Sequence, residues 1–306
     1  MSLSDELRNE LAAIAPRNDC DRRAELSGLF HTAGSVHLRG RGEVSVHLDV
    51  ASSAVARRAF RLLREEDVTS EIRTYSRRAF DRATRYQLHV RGDGRALQML
   101  YEAGVLTHGL APLEHPPRRV VGRRCCRAAY MRGALLGAAS LSGPRAPHLE
   151  IRSASPVGAQ FLAELADREG AGLGVIDRGR HAAAYAKGID AIADVLAIAG
   201  ANSTVIAFRE TAVLSSTRER ANRLANADHA NLVRTSRAAH DQLRAVETLR
   251  RSGALRTLAP PLQEIAELRR RNPTLSLREL GMKCDPPATK AAAARRLKEL
   301  RRLAGL

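Results

Sequence analysis

The side chains best suited by type and spacing to do chemistry in this chain are cations. From Lys290 to Leu303 the sequence KAAAARRLKELRRL sets Ala293, Leu297, Leu300 and, one residue beyond, Ala304 on one helical side. Arg295 and Arg302 fall nearly opposite, with Lys298 beside them. One side of such a helix packs, and the other is cationic. A guanidinium there can form paired hydrogen bonds with a guanine edge, while ammonium and guanidinium groups neutralise phosphate without reading sequence. On this reading Arg295 and the N-terminal end of the helix, opened by Thr289, face bases. Lys290, Arg296, Lys298 and Arg302 touch phosphate, and Ser276 and Arg278 just upstream complete the expected DNA-contacting set.

Local punctuation predicts the elements that would hold those cations. Pro261 opens a helix that Asn272 and Pro273 close, Ser276 and Glu279 have capping-box spacing, DPPAT is a turn, and Thr289 can cap a third helix. A helix, short helix, turn and helix order, with LRELG on the second helix, resembles a helix-turn-helix reader with a lengthened turn. The surrounding composition agrees. No Phe, Tyr or Trp occurs in the last 98 residues, and residues 209–306 carry 21 Lys plus Arg against 10 Asp plus Glu. The stretch from Arg209 to Ser252 reads as helical, with a break expected near Asn226 to Asp228 and Gly253 as its stop.

A repeat organises the rest. AELSGLFHTAGS, Ala24 to Ser35, returns 105 residues later as YMRGALLGAAS, Tyr130 to Ser140. Leu26, Gly28, Leu29, Gly34 and Ser35 in one copy, and Met131, Gly133, Leu135 and Ser140 in the other, align with the LAGLIDADG motif of homing endonucleases. The pair resembles the two motif helices of a single-chain member. Such a nuclease ends each motif in an acid that holds magnesium for in-line attack on phosphate. The matching positions are Ala33 and Ala138, so the resemblance implies the scaffold without the enzyme. His31, where the motif's first acid would stand, is a poor magnesium ligand with Leu136 as its counterpart, and reads as a packed or half-exposed side chain. Glu43 and Asp49 could replace a lost acid but read as solvated strand positions; an active magnesium-dependent endonuclease is the alternative function.

Each motif helix, Arg22 to Ala33 and Arg124 to Ala138, heads the same expected order of helix, two strands, helix, two strands, helix. In the first copy Val36, Leu38, Val44, Val46, Leu48 and Val50 alternate around a Gly-Arg-Gly turn. Ser53 to Glu66 is a helix, SEIRTYS and RYQLHVRG are strands around the basic loop RRAFDRAT, and Asp93 to Ala103 is a helix. The second copy offers the hairpin SLSGPRAPHLEIRS, a helix from Pro156 to Arg168, strands GLGVIDRG and HAAAYAKG, and a helix from Asp190 to Ala199. A short helix over residues 3–15 precedes both. The expected fold class is α+β: two αββαββα repeats forming a pseudo-twofold saddle, then an all-α helix-turn-helix domain. Ser27, Gly28, Gly133 and Gly137 would let the first helices approach closely. The expected boundaries are 1–110 for the first repeat, 111–122 for a Pro-rich linker, 123–208 for the second repeat, 209–253 for a helical linker and 254–306 for the DNA-binding domain.

Composition sets the partner class. The formal charge is +17, carried by 46 arginines and four lysines. Part of that skew fits a GC-rich coding bias, but its sign favours a phosphate backbone. Double-stranded DNA is the expected partner, since few aromatics count against the base stacking used on RNA. No apolar run reaches a membrane span and MSLSDELRNE lacks signal-peptide features, so a cytoplasmic, nucleoid-associated protein with no membrane partner is expected. Cys20, Cys125, Cys126 and Cys284 show no CxxC or Cys/His spacing and read as free thiols, with no metal and no cofactor.

A degenerate LAGLIDADG pair followed by a helix-turn-helix resembles the WhiA family of sporulation and cell-division transcription regulators, over the whole chain. The words carrying the likeness are RRAELSGLF, YMRGALLGAASLS, HLEI, ANRLANADHANLVRTSRAA and SLRELGMKCDPPATKAA. Asn222, Arg223, Asn226 and Asn231 belong to the most telling of them. The resemblance implies binding to promoter DNA of sporulation, cell division and chromosome segregation genes. In actinobacterial members it also implies a WhiB-type iron–sulfur protein as partner.

Overall fold

Glycines set the central packing of the larger unit. In α2 (Asp19–Ala33) and α6 (Arg124–Ala138), apolar or small residues occupy nearly every side, so both helices are buried on most of their circumference. A Cβ at Gly28 would stand 2.2 Å from the Tyr130 carbonyl oxygen, and one at Gly133 would stand 2.1 Å from that of Glu25. Only backbone fits there. The expected close approach is present, and the pseudo-twofold that relates the motif helices extends through the rest of each repeat.

The computed structural model describes residues 2–38, 44–76, 84–143 and 145–306. The Gly-Arg-Gly turn, Glu43 and most of the RRAFDRAT loop lie outside these residues. After α1 (Leu3–Ala13) and α2 come β1 (Gly34–Leu38), β2 (Val44–Val50), α3 (Ser53–Glu65), β3 (Ser70–Ser76), β4 (Thr84–Arg91) and α4 (Gly94–Glu102). A one-turn helix, α5 (Arg118–Val121), lies in the Pro-rich segment with Val120 and Val121 buried. The second repeat runs α6, β5 (Ala139–Leu141), β6 (His148–Ser153), α7 (Pro156–Arg168), β7 (Gly174–Asp177), β8 (Ala182–Lys187) and α8 (Ile189–Ala199). Both repeats are therefore αββαββα, as the sequence pattern predicts.

Among the described residues each repeat builds one four-stranded antiparallel sheet, in the orders β1-β2-β4-β3 and β5-β6-β8-β7. Register follows alternation: Val46 pairs with Val36 and Val90 toward the core, while Ser45, His47 and Asp49 take the other face. In the second sheet Ile151 pairs with Ala139 and Ala184 on the buried side. Val46 and Ile151 are also 105 residues apart, so the repeat extends from the helices into the strands.

The chain divides into two compact units, Met1–Ser216 and Thr217–Leu306. The boundary falls within α9 (Asn202–Arg251), a single helix of 50 residues. The break expected at Asn226 to Asp228 is absent. Asn and Asp lower helix propensity by well under 1 kcal/mol each, whereas the residues that stop a helix, Gly and Pro, do not occur between Asn202 and Arg251. Gly253, with φ of 76°, lies just beyond the helix end. After a 3₁₀ turn (Ala254–Thr257) the smaller unit adds α10 (Pro260–Arg271), α11 (Leu277–Met282) and α12 (Lys290–Leu303). Helix α10 starts one residue before the expected Pro261, and α2 starts three before Arg22.

Candidate nucleic-acid interface

The smaller unit packs Val246 and Leu249 of α9, Ile265 and Ala266 of α10, Leu280 of α11, and Ala293, Leu297 and Leu300 of α12 into one buried cluster. The expected inner face of α12 is thus the observed one. Each helix start is fixed locally. Ser276 Oγ accepts from the Glu279 amide at 3.3 Å while the Glu279 carboxylate accepts from the Ser276 amide at 2.8 Å, and Thr289 Oγ1 accepts from the Ala292 amide at 3.2 Å. The turn between α11 and α12 depends on Gly281, where a Cβ would lie 2.3 Å from the Ala288 carbonyl oxygen. The turn between α10 and α11 is tied by buried Arg269, whose Nη1 donates to the carbonyls of Pro273 at 3.2 Å and Leu275 at 2.8 Å. Burial holds that guanidinium below its ordinary pKa.

This frame presents Arg295, Lys298 and Arg302 on the exposed side of α12, opposite the core. Lys290 and Thr289 are exposed at its start, and Ser276 and Arg278 at the start of α11. Arg302 is exposed yet paired with Glu299, at 2.6 Å and 2.9 Å. Arg296 stands apart from this group: it is half-buried and turned toward Glu264 of α10 at 3.8 Å. Glu264 also accepts the Asp285 amide at 2.6 Å, so Arg296 sits beside a contact that fixes the turn. Lys283, exposed at the end of α11, is a further cation on the approach to α12 that helical periodicity had no means to reveal.

The larger unit holds a second cationic feature, at the foot of the motif helices. A cavity of about 560 Å³ is lined by Ala33 and Ala138 together with Arg8, Arg85, Arg152 and His181. Among the described lining residues Asp49 is the one carboxylate, and it accepts from Tyr75 Oη at 3.0 Å and Gln87 Nε2 at 3.3 Å. Arg8 donates to the Ala139 carbonyl at 2.8 Å and pairs with Asp5 at 3.2 Å. Burial lowers its pKa against the pull of Asp5, and the nearby charges of Arg85 and Arg152 lower it further. Three arginines drawn from distant segments make this cavity a place for an anion; sequence spacing gave no sign of them. His31 lies on α2 with Nδ1 3.3 Å from Ser27 Oγ, and burial pushes it down to about 4. It is a packed neutral histidine.

A different cluster was also hidden by chain separation. Cys20, Asp21, Cys125 and Cys126 bring their ligand atoms within 4.8 Å of one another at the N-terminal ends of α2 and α6. No motif scan joins residues that far apart.

Three family models match in succession: the WhiA N-terminal LAGLIDADG-like domain over residues 19–106, the WhiA LAGLIDADG-like domain over 127–218, and the WhiA C-terminal HTH domain over 221–304. The chain belongs to the WhiA family. Its relatives include a probable cell division protein WhiA of Symbiobacterium thermophilum, 32% identical, with 99% of this chain and 98% of the relative covered. Another, from Heliobacterium modesticaldum, is 33% identical with 99% and 96% covered. Among solved structures, full-length WhiA from Thermatoga maritima superposes with a TM-score of 0.57 at 22% identity, covering 100% of this chain and 98% of that one. The isolated N-terminal LAGLIDADG domain of a WhiA gives 0.52 at 16% identity over 65% of this chain and 90% of that one. These superpositions support the fold. WhiA proteins carry a degenerate LAGLIDADG fold, and these relatives are named as cell division proteins rather than nucleases. Among the described residues no helix is long and apolar enough to cross a membrane.

Proposed function

We propose that this chain is a DNA-binding transcription regulator that engages double-stranded DNA through the solvent face of α12 and leaves the DNA uncut. The observation that carries the reading is the segregation of α12: Ala293, Leu297 and Leu300 are buried while Arg295, Lys298 and Arg302 are exposed on the opposite side. A recognition helix needs such a split, one face to lock its angle and one to enter the major groove. Arg295 is the base-reading residue, suited to guanine. Lys290, Lys298 and Arg302 neutralise phosphate, Arg278 and Ser276 contact the backbone from α11, and Thr289 acts mainly by capping α12. Arg296 contributes through its place beside Glu264 more than through phosphate.

The cavity at Ala33 and Ala138 supports the non-cutting part of the proposal. Ala33 and Ala138, which align with the motif's acids, offer only methyl groups, and Arg8, Arg85 and Arg152 line the cavity against the one carboxylate of Asp49 among its described lining residues. Such a lining suits a phosphate better than a magnesium ion. The names of the relatives and the family resemblance add targets and a partner to this reading: promoters of sporulation, cell division and chromosome segregation genes, with action at the nucleoid, and a WhiB-type iron–sulfur protein.

Selection of bound duplexes from a random-sequence pool by the full chain tests the proposal. A consensus containing guanine is expected. Arg295→Ala then costs about 1–3 kcal/mol on the consensus and relaxes the preference at one position, whereas Lys298→Ala weakens all duplexes alike and lowers the log–log salt slope by about one. A pool that yields no consensus contradicts specific reading.

A further inference from the structure

The N-terminal ends of α2 and α6, opposite the arginine-lined cavity, gather three thiols and a carboxylate. Cys20 and Asp21 come from the first turn of α2, Cys125 and Cys126 from the first turn of α6. The two pairs are 105 residues apart, the same offset that relates Gly28 to Gly133, so they occupy equivalent places in the two repeats. Each repeat contributes half of the cluster.

We propose that Cys20, Asp21, Cys125 and Cys126 form a tetrahedral site for a thiophilic divalent cation of the zinc class, stapling one repeat to the other. The distances fit. Zinc–sulfur bonds of about 2.3 Å in a tetrahedron put neighbouring sulfurs about 3.8 Å apart. Here Cys125 Sγ and Cys126 Sγ are separated by 3.9 Å, Cys20 Sγ and Asp21 Oδ1 by 3.7 Å, and all four ligand atoms lie within 4.8 Å of one another. Three sulfurs exclude magnesium and calcium, which require six or more oxygen ligands.

The surroundings support the same assignment. Asn18 Nδ2 donates to Asp21 Oδ2 at 3.1 Å, which orients the carboxylate with its other oxygen toward Cys20. Neither helix start has a side-chain cap hydrogen bond. The arginine following each pair is drawn away from it: Arg22 pairs with Glu66 at 2.7 Å and Arg127 with Glu169 at 2.5 Å. Asp21 and Cys126 are buried, whereas Cys125 is exposed, so the cluster is closed on its inner side and open to an entering ion. On binding, the thiol protons leave to solvent as sulfur–metal bonds form.

The test is titration of the reduced, metal-free full chain with Co²⁺ and with Zn²⁺ in competition with a chromophoric chelator. One cation per chain is expected, with the charge-transfer and d–d absorption of a tetrahedral cobalt thiolate site and a higher Tm when loaded. Cys125→Ser, at an exposed position, should weaken zinc binding at least about tenfold, the loss that even an outer-shell partner of a metal site causes. Cys284→Ser, in the smaller unit, should leave binding unchanged. Octahedral cobalt spectra, no stoichiometric zinc binding, or equal binding by Cys125→Ser would overturn the proposal, as would a chain that forms a disulfide within the cluster but takes up no zinc once reduced.

Discussion

Glu25 shows what a single residue does at the centre of the larger unit. Its carboxylate is fully buried on α2 and receives Arg58 Nε at 2.8 Å and Nη2 at 3.0 Å from α3, and Arg132 Nε at 3.0 Å from α6. Arg132 continues to the Ala199 carbonyl at 3.1 Å. Removing the acid would leave two buried guanidinium groups without a counter-charge. Glu25→Ala is therefore expected to cost about 3–5 kcal/mol in denaturant unfolding, whereas a surface change such as Asp190→Ala should fall within about 0.5 kcal/mol. His31 makes a pH prediction with a definite sign. Its folded pKa, about 4, lies below the unfolded value near 6.5, so between those values the unfolded chain binds a proton that the folded chain refuses. Stability should fall as pH drops from 6.5 toward 4, and His31→Asn should flatten that slope; a His31 NMR titration midpoint near 6.5 would contradict the packing described. The packing of His31 agrees with its reading from sequence, whereas the role of Glu25 was not legible there: a lone Glu carries no spacing signal, and its partners lie 33 to 107 residues away.

At the scale of elements the sequence was far more informative, because strands and helices are written in local periodicity. The motif helix from Arg124 to Ala138 and the helix from Pro156 to Arg168 fall at their expected ends, and Ser276, Glu279 and Thr289 cap the helices that their spacing predicts. The failed break in α9 has the complementary cause: a run of mildly unfavourable residues was read as a stop where no true helix breaker stands. Close packing of elements was legible only through glycine. Gly281→Ala would drive a methyl into the Ala288 carbonyl, at a distance where backbone must move. It should lower stability by about 1–3 kcal/mol and weaken DNA binding by shifting the start of α12, although Gly281 itself is buried. Duplex affinity unchanged in a destabilised Gly281→Ala chain would show that α12 placement does not govern binding.

For the whole molecule, the proposed function puts DNA recognition on one cationic helix face and leaves the paired motif helices as a scaffold. Residues 209–306 hold +11 of the chain's +17, and that concentration of charge was visible in the sequence alone. The arginine-lined cavity of the larger unit was not, since Arg8, Arg85 and Arg152 meet only once the repeats are folded. The most direct measurement is binding of the full chain to duplex DNA across a salt series with magnesium present, followed by a gel that scores cuts in supercoiled plasmid. The comparison is between the unaltered chain, an Arg295→Ala/Lys298→Ala/Arg302→Ala chain and an Arg8→Ala/Arg152→Ala chain. The α12 variant is expected to lose most of its affinity and about two to three units of salt slope. The cavity variant should keep sequence preference, and the plasmid should stay supercoiled throughout. An α12 variant that binds like the unaltered chain, or magnesium-dependent cutting that the cavity variant abolishes, would contradict recognition by α12 without cleavage.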